Sequence, residues 1–370
     1  MINAQMEIIL TVCLTAIACA IPGVFLIFRK MSAYSCDINH SVLLGIVAAF
    51  FFVQWIDSPA IVFSAGIVAI VAVLFVEKIN KTRLAKKDAI AGIVHPFMLS
   101  AAVIIISMFA SRVSIDIDAA LLGELAFTPL NRLQIMGYNL GPMALWQIGG
   151  LALLNIIFTF IFYKELKLSI FDSGFATTAG FAPKWIIYGL MVMVSFTSVA
   201  AFEVAGSIMT AGFIIGPAVI ASYFTKRFRN LFFIAPAVGV ISCLLGYKSA
   251  YLFGISIAGM IMTVMGAIFF LTFLFVPGMG VVAKTINKIK LKMEFSINIL
   301  LVHLWQHEIL GDSARKNSVD SVSVYLNWKS DFTESIIKQS MNEQLLGLNT
   351  EGVLFLLPNG KIRAQNILER

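Results

Sequence analysis

The chain of 370 residues is 59% hydrophobic and only 13% charged, with a formal net charge of +7 and a mean hydropathy of +0.91. A soluble domain is about 45–50% apolar and about 25% charged, so this excess cannot be buried inside one globular core. The composition excludes a disordered chain, a secreted disulfide scaffold and an ordinary soluble enzyme, and it indicates a polytopic membrane protein.

Nine apolar runs are long enough to cross a bilayer, which takes about 20 residues in a helix. They lie at residues 8–28, 41–56, 60–76, 95–111, 144–163, 185–202, 205–223, 231–247 and 254–279. The segment 114–143 carries several charged residues, and we expect a loop there with re-entrant or interfacial pieces. The N-terminus lacks a basic region, so the first run is predicted to be a retained helix rather than a cleaved signal.

Basic residues follow every second apolar run. They cluster after the first, third, fifth, seventh and last runs, at 29–30, 78–87, 164–167, 226–229 and 284–292. The alternate loops carry mainly acidic residues, among them Asp57, Asp116 and Glu124. Because cytoplasmic loops are enriched in Lys and Arg, the pattern predicts an external N-terminus and a cytoplasmic C-terminus.

The composition changes after Lys292, since no later run could span a membrane and acidic residues outnumber basic ones from 294 to 370. The pattern predicts helices at 295–307, 318–328 and 332–345, the third capped by Ser330 or Asp331. A strand at 352–356, a break at Pro358-Asn359-Gly360 and a last helix should follow. Three helices and a β element are typical of a winged helix. We therefore predict an all-α membrane domain of about nine helices (1–285) and a small cytoplasmic α+β winged-helix domain (286–370).

Cys36, Asp37 and His40 place a thiol, a carboxylate and an imidazole at the entrance of the second apolar run. On a helix Cys36 and His40 would share a face. Ionisable side chains at membrane depth are costly and usually line an ion or substrate path, which favours metal handling. The alternative is that His40 is a helix-end residue bonded to backbone. Glu203, within the apolar stretch 185–224, is either a metal-pathway carboxylate or part of a polar turn between two spans.

The segment Phe171 to Gly180, between Lys167 and Lys184, is rich in small residues and includes Asp172 and Ala176. A short helix of this kind on the cytoplasmic side of a permease is a plausible docking element for a motor subunit. The chain has no GxxxxGK[ST] phosphate-binding motif. If transport is driven by ATP, the ATPase must therefore be another chain, and this chain is not itself an enzyme.

Five segments, in order, resemble the membrane permeases of manganese, zinc and iron ABC importers. They are RKMSAYSCDINHSVLLGI, KKDAIAGI, VSIDIDAALLGELAFTP, KELKLSIFDSGFATTAGF and AFEVAGSIMTAGFIIGPAVIASYFTKR. The resemblance implies that the first segment carries a metal-contacting Asp and His. Aligned on Met31-Ser32 and Gly45, the family His falls at His40 and the family Asp at Cys36. Either Cys36 ligates the metal, which would favour Zn²⁺ or Fe²⁺ over Mn²⁺, or a helix adjustment brings Asp37 round.

The same resemblance implies a multi-pass permease subunit in the bacterial plasma (inner) membrane, surrounded by lipid. It carries a divalent metal ion (Mn, Zn or Fe) as cargo and has no permanently bound cofactor. Its expected partners are an ABC ATPase subunit contacting Phe171, Asp172, Ala176 and Gly180, an extracytoplasmic metal-binding protein, and a second permease, identical or paralogous.

The segment GLNTEGVLFLLPNGKIRAQNILER resembles the wing and following helix of metalloregulators of the diphtheria toxin repressor type. The surplus of acidic residues in this part of the chain argues against nucleic acid as a partner. Two other functions stay open at this point. One is a secondary metal-ion transporter driven by an ion gradient, and the other is a membrane-anchored metal-responsive regulator.

Overall fold

The computed structural model describes residues 4–29, 41, 44–45, 47–48, 59–81, 87–109, 125–135, 138–278, 280–309, 317–349 and 352–369. The chain divides into two compact units, Met1–Val276 and Pro277–Arg370. This division falls before the predicted domain boundary at 285/286. The two units are described separately below.

The first unit is built almost entirely from helices. They are α1 (Ala4–Phe28), α2 (Pro59–Lys81), α3 (Lys87–Phe109), α4 (Met143–Ile161), α5 (Tyr163–Phe171), α6 (Ser173–Thr178), α7 (Pro183–Phe224), α8 (Phe228–Phe253) and α9 (Ile257–Phe275). A 3₁₀ turn (Leu125–Phe127) and an antiparallel hairpin, β1 (Arg132–Ile135) with β2 (Tyr138–Pro142), precede α4.

Helix α1 is the centre of this unit and packs against α4, α7 and α8. Most of its residues from Ile8 to Leu26 are buried. Small residues explain the close packing, since lipid supplies no hydrophobic drive between helices and tight van der Waals contact must replace it. At Gly23, an added Cβ would overlap the carbonyl oxygen of Ile214 on α7. Backbone therefore lies directly against backbone at this crossing.

Helix α7 has 42 residues and is interrupted at Gly206, whose φ of 73° and ψ of 173° are not helical. A straight helix of that length would reach about 63 Å, about twice the hydrocarbon thickness of a bilayer. The break lies beside the predicted division between the runs 185–202 and 205–223. It separates two segments of span length, 183–205 (α7a) and 207–224 (α7b).

Five of the described helices are long and apolar enough to cross a membrane, namely α1, α4, α7, α8 and α9. Their number and composition agree with a polytopic membrane protein. The count of nine spans stays a prediction, because most of the second predicted run lies outside the described residues. The residues of that run that are described, at 41, 44–45 and 47–48, are helical.

Two local predictions for the first unit differ from the structure. The expected loop at 114–143 contains the β1–β2 hairpin, whose register places Gln134 opposite Asn139 and shifts between Arg132 and Gln134. The fourth predicted run, 95–111, belongs to a helix that already begins at Lys87. Helices commonly extend beyond the apolar window, because polar residues at their ends tolerate the interfacial region.

The second unit contains four helices and one hairpin. They are α10 (Val281–Ile309), α11 (Val319–Tyr325), α12 (Ser330–Asn342), β3 (Leu346–Leu348), β4 (Leu354–Leu356) and α13 (Pro358–Leu368). Strands β3 and β4 pair antiparallel, with Gly347 opposite Phe355. The core joins Leu300 and Leu304 of α10 to Ile336 of α12, Leu354 of β4 and Ala364 of α13.

Several predicted boundaries in this unit were wrong. Helix α10 begins well before the predicted 295, since the basic stretch after Gly280 is also helical. The N-cap residue of α12 is Lys329, not Ser330 or Asp331. Pro358 starts α13 rather than breaking the chain, because proline's fixed φ suits the first helical turn. Strand β3 was not predicted at all, since Leu-Gly-Leu is too short to show an alternating pattern.

Candidate functional site

The predicted metal ligands Cys36, Asp37 and His40 lie outside the described residues. Glu203 is described: it is an exposed residue of α7a, one turn before the break at Gly206. Among the residues that the structure describes, no three His, Cys, Asp or Glu side chains are grouped closely enough to hold a metal ion. Glu203 is therefore not gathered with other described ligands into a formed site.

The break at Gly206 is surrounded by small polar side chains. Ser207 and Thr210 are buried, and the Thr210 hydroxyl donates a 2.7 Å hydrogen bond to the Gly206 carbonyl oxygen. Interrupted membrane helices provide backbone and carboxylate oxygens at a depth where regular helices offer none. Glu203 lies one turn before such an interruption.

The predicted docking segment, 171–180, begins at the last residue of α5 and continues through Asp172 into the short helix α6. The Asp172 carboxylate caps α6 by accepting a 2.8 Å hydrogen bond from the backbone N–H of Phe175. Gly180 ends this turn with a φ of +84°, a left-handed conformation that favours glycine. Ala176 is fully buried, so it fixes α6 against the protein rather than offering a contact to a partner.

The outer face of this segment presents two large apolar side chains among polar ones. Phe171 and Phe175 are 58% and 57% exposed, beside the exposed Asp172 and Ser173. Exposed apolar patches with a polar border mark interaction surfaces in most proteins. The sequence prediction of a short helix of small residues is confirmed here, whereas the contribution of Phe175 was not anticipated.

Phe171 also belongs to a set of contacting rings that we name the aromatic cluster. Its members come from α1, α5 and α8, and they are Phe25, Phe28, Tyr163, Phe171, Phe228 and Phe232. The ring of Phe228 is at the centre, with centroids 5.5 Å from Phe28 and 5.4 Å from Phe171, both edge to face. The ring of Phe171 thus contacts both α1 and α8 directly.

The sequence analysis missed the other members of this cluster. The available signal was weak: aromatic residues near the ends of three segments that all carry neighbouring basic residues. It also missed a second contact, in which Arg132 of the β1–β2 hairpin forms a 3.3 Å ion pair with Glu7 of α1. The Glu7 side chain is only 8% exposed. This pair could not be predicted from the sequence, because the identity of Glu7 or Arg132 does not indicate a partner more than 100 positions away.

The profile of the ABC 3 transport family matches residues 1–276, which is also the extent of the first unit. This match covers well over half of the chain. The chain belongs to the ABC 3 transport family.

Individual relatives agree with this membership. The zinc transport system membrane protein TroD of Treponema pallidum is 33% identical over 352 residues, which is 95% of each chain. The manganese transport system membrane protein MntD of Bacillus subtilis is 30% identical over 287 residues, 78% of this chain and 97% of its own. A solved structure, PsaBC from Streptococcus pneumoniae in complex with Fab, matches with a TM-score of 0.64 at 22% identity. The match covers 78% of this chain and 95% of the PsaBC chain, and it shows that the two chains share a fold.

Proposed function

We propose that this chain is the membrane permease subunit of an ATP-binding-cassette importer for divalent transition metal ions, Mn, Zn or Fe. The observation that carries the proposal is the family match over the whole first unit. Relatives named as zinc, manganese and chelated iron transport proteins support the class of cargo. Glu203 is the single acidic residue of helix α7. A secondary transporter coupled to protons or sodium would need acidic or histidine side chains on several spans, so this observation argues against one.

Uptake of radioactive Mn²⁺, Zn²⁺ and Fe²⁺ tests this proposal in cells that express the chain with its ATPase and binding protein. We expect uptake that requires an intact ATPase active site and survives collapse of the proton gradient by an uncoupler. Uptake that continues with an inactive ATPase but stops with the uncoupler would instead identify a secondary transporter.

For the metal path, we propose that Cys36 or Asp37, together with His40, holds the ion transiently, and that Glu203 lies along the same path. The spacing of four residues between Cys36 and His40 in the sequence supports the first part, and the helix break beside Glu203 supports the second. Weak holding is required, since a conducting site must release its ion. His40→Ala should abolish uptake at normal expression, and Cys36→Ala should change the preference among the three metals. Uptake at the wild-type rate by a stably expressed His40→Ala variant would contradict the proposal that His40 holds the metal ion.

We propose that the ATPase docks on the segment 171–180, with Phe171 and Phe175 as its apolar contacts. Their exposure and the capped turn at Asp172 support this choice over the basic segment 81–87. Site-specific crosslinking from cysteines introduced at Phe175 and, separately, at Lys81 distinguishes the two surfaces. We expect ATPase adducts from position 175, and adducts confined to position 81 would reject the proposal.

A permease dimer and an extracytoplasmic metal-binding protein complete the proposed importer. The β1–β2 hairpin, held to α1 by the Arg132–Glu7 ion pair, is on the predicted external side and is a candidate contact for the binding protein. Arg132→Gln should weaken capture of that protein by the purified permease, whereas Arg227→Gln, on the predicted opposite side, should not. If both variants capture the binding protein equally well, the hairpin is not its contact surface.

We propose that the C-terminal unit is a cytoplasmic winged helix that contacts proteins rather than DNA. Three helices followed by a hairpin support the winged-helix assignment. Helix α12 offers a single cation, Lys338, beside Asp331 and Glu334. Two further cations of the unit are engaged: Arg363 pairs with Glu294 and Glu343, and Lys361 pairs with Glu308. The exposed lysines in the first half of α10, Lys284, Lys288 and Lys290, are not among these pairs.

Phosphate contacts from free Lys and Arg supply most non-specific DNA affinity, so helix α12, with its single cation, should bind DNA poorly. The second unit has a core of its own, so residues 277–370 can be tested as a fragment. A specific shift of promoter DNA by this fragment at physiological salt would overturn the proposal. Capture of the ATPase or of a second copy would support it.

A further inference from the structure

A cavity of about 1040 Å³ lies between α1, α4, α5 and α8. Ile17 and Ile21 of α1 form its floor, while α4 and α8 form its two sides, with Phe160 and Phe233 at the edges. Those two rings are 84% and 74% exposed. An apolar cavity of this size, open at its sides between membrane-spanning helices, suits hydrocarbon chains better than a compact polar solute.

The cavity is polar at one end, where α4 passes into α5 and α8 begins. Lys164, Glu165 and Arg229 line it there, with Asn230. The Oε2 atom of Glu165 is buried and accepts no hydrogen bond from any described residue. Neither Lys164 nor Arg229 forms an ion pair within the part of the chain that the structure describes. A buried carboxylate oxygen without a hydrogen-bond donor is costly, so a ligand that brings a donor to Glu165 would be stabilised at this end.

We propose that the cavity binds a phosphatidylethanolamine molecule of the inner leaflet. Its ammonium group would donate to Glu165, its phosphate would accept from Lys164 and Arg229, and its acyl chains would lie on Phe160 and Phe233. The basic residues that follow α4 and α7 place this end on the cytoplasmic side. Headgroup recognition by basic pockets between membrane helices is a known form of lipid binding.

The combination of charges selects among the common phospholipids. Phosphatidylglycerol offers phosphate to the two cations but has no ammonium for Glu165. Phosphatidylcholine carries a cation, but its quaternary nitrogen has no N–H to donate. Only an aminophospholipid satisfies all three side chains. Since Tyr163 and Phe232 also line the cavity, the bound lipid touches the aromatic cluster directly.

Native mass spectrometry of the full chain tests this site, using an equal mixture of phosphatidylethanolamine, phosphatidylglycerol and phosphatidylcholine with identical acyl chains. We expect the protein to retain about ten times more phosphatidylethanolamine than phosphatidylcholine. A ratio of this size matches the binding free energy of one charge-assisted hydrogen bond. Glu165→Gln should remove the preference for phosphatidylethanolamine over phosphatidylglycerol. Arg229→Gln should reduce retention of both phosphatidylethanolamine and phosphatidylglycerol. The control Lys226→Gln, on the same predicted side but not in the cavity, should change the retention of neither lipid.

A second measurement does not depend on the folding of any variant. Phosphatidylethanolamine with a photoreactive acyl chain should label wild-type peptides from 156–161 and 229–236. Equal retention of the three lipids, a preference unchanged by Glu165→Gln, or labelling elsewhere only would overturn the proposal. So would crosslinks showing that a second copy of the chain fills the cavity.

Discussion

Phe171 and Phe228 meet edge to face, with ring centroids 5.4 Å apart and planes at 83°. Phe171 lies at the end of α5 and Phe228 at the start of α8, so this contact joins the proposed docking segment to a membrane-spanning helix. The same Phe171 ring approaches Phe28 at the end of α1, at 6.0 Å. The exposed side chain of the proposed docking segment is therefore also the one that contacts α1 and α8.

Phe171→Ala should uncouple the permease from its ATPase. Two aromatic contacts are lost, each worth about 0.5–1.5 kcal/mol beyond burial, so we expect uptake to fall about tenfold. Membrane abundance should stay normal, because Phe171 is more than half exposed. Uptake and abundance are measured together, with Trp185→Ala as the control, since Trp185 is exposed but contacts Tyr188 rather than the aromatic cluster. Equal losses in both variants would argue against a specific role for Phe171.

Gly206→Ala should destabilise the first unit and impair transport. Gly206 has a φ of 73° and a ψ of 173°, a conformation that costs a residue with a Cβ about 1–3 kcal/mol. Thermal unfolding in detergent measures the loss. The matched control is Gly266→Ala in α9, where an added Cβ meets nothing within 4 Å. If both variants unfold at the same temperature as the wild type, the break in α7 is not required for the fold.

Gly23→Ala should be more damaging than Gly206→Ala. The new methyl group would overlap the Ile214 carbonyl, and because that obstacle is backbone, α1 and α7 must move apart at this crossing. Overpacking of this kind costs about 1–3 kcal/mol or more. We expect a reduced yield of monodisperse protein by size-exclusion chromatography. Gly150→Ala, with open space around the added methyl, serves as the comparison and should be produced at the wild-type yield.

Asn155→Leu should lower the free energy of unfolding by about 1 kcal/mol, the usual scale for hydrogen bonds between membrane helices. The Asn155 amide donates to the Ala18 carbonyl oxygen at 3.0 Å and to the Thr197 hydroxyl at 2.8 Å, joining α4 to α1 and α7. A double-mutant cycle with Thr197→Val isolates the second bond. Strict additivity of the two substitutions would show that this bond contributes nothing to stability.

Sequence reasoning worked where the signal was continuous and failed where it depended on distant partners. Apolar runs and alternating basic loops located α1, α4, α8 and α9 and the division of α7 near Gly206. The short helix after Asp172 was predictable because its cap and its glycine stop are local. The aromatic cluster was not predictable from the sequence, because Phe28 and Phe228 come into contact only when three helices have packed together. The Arg132–Glu7 pair was missed for the same reason, because its partners are 125 positions apart. Strand β3 was missed because three residues are too few to show an alternating pattern.

The separate cores on either side of Val276 have a consequence for biosynthesis. Domains generally fold in the order in which they leave the ribosome. Every membrane-spanning helix described in the first unit is complete before Ile297, the first buried aliphatic residue of the second core, is synthesised. Insertion of the spans therefore cannot depend on the C-terminal unit during translation. A core substitution such as Leu300→Asp should leave a fully inserted membrane unit that carries an unfolded tail exposed to proteases.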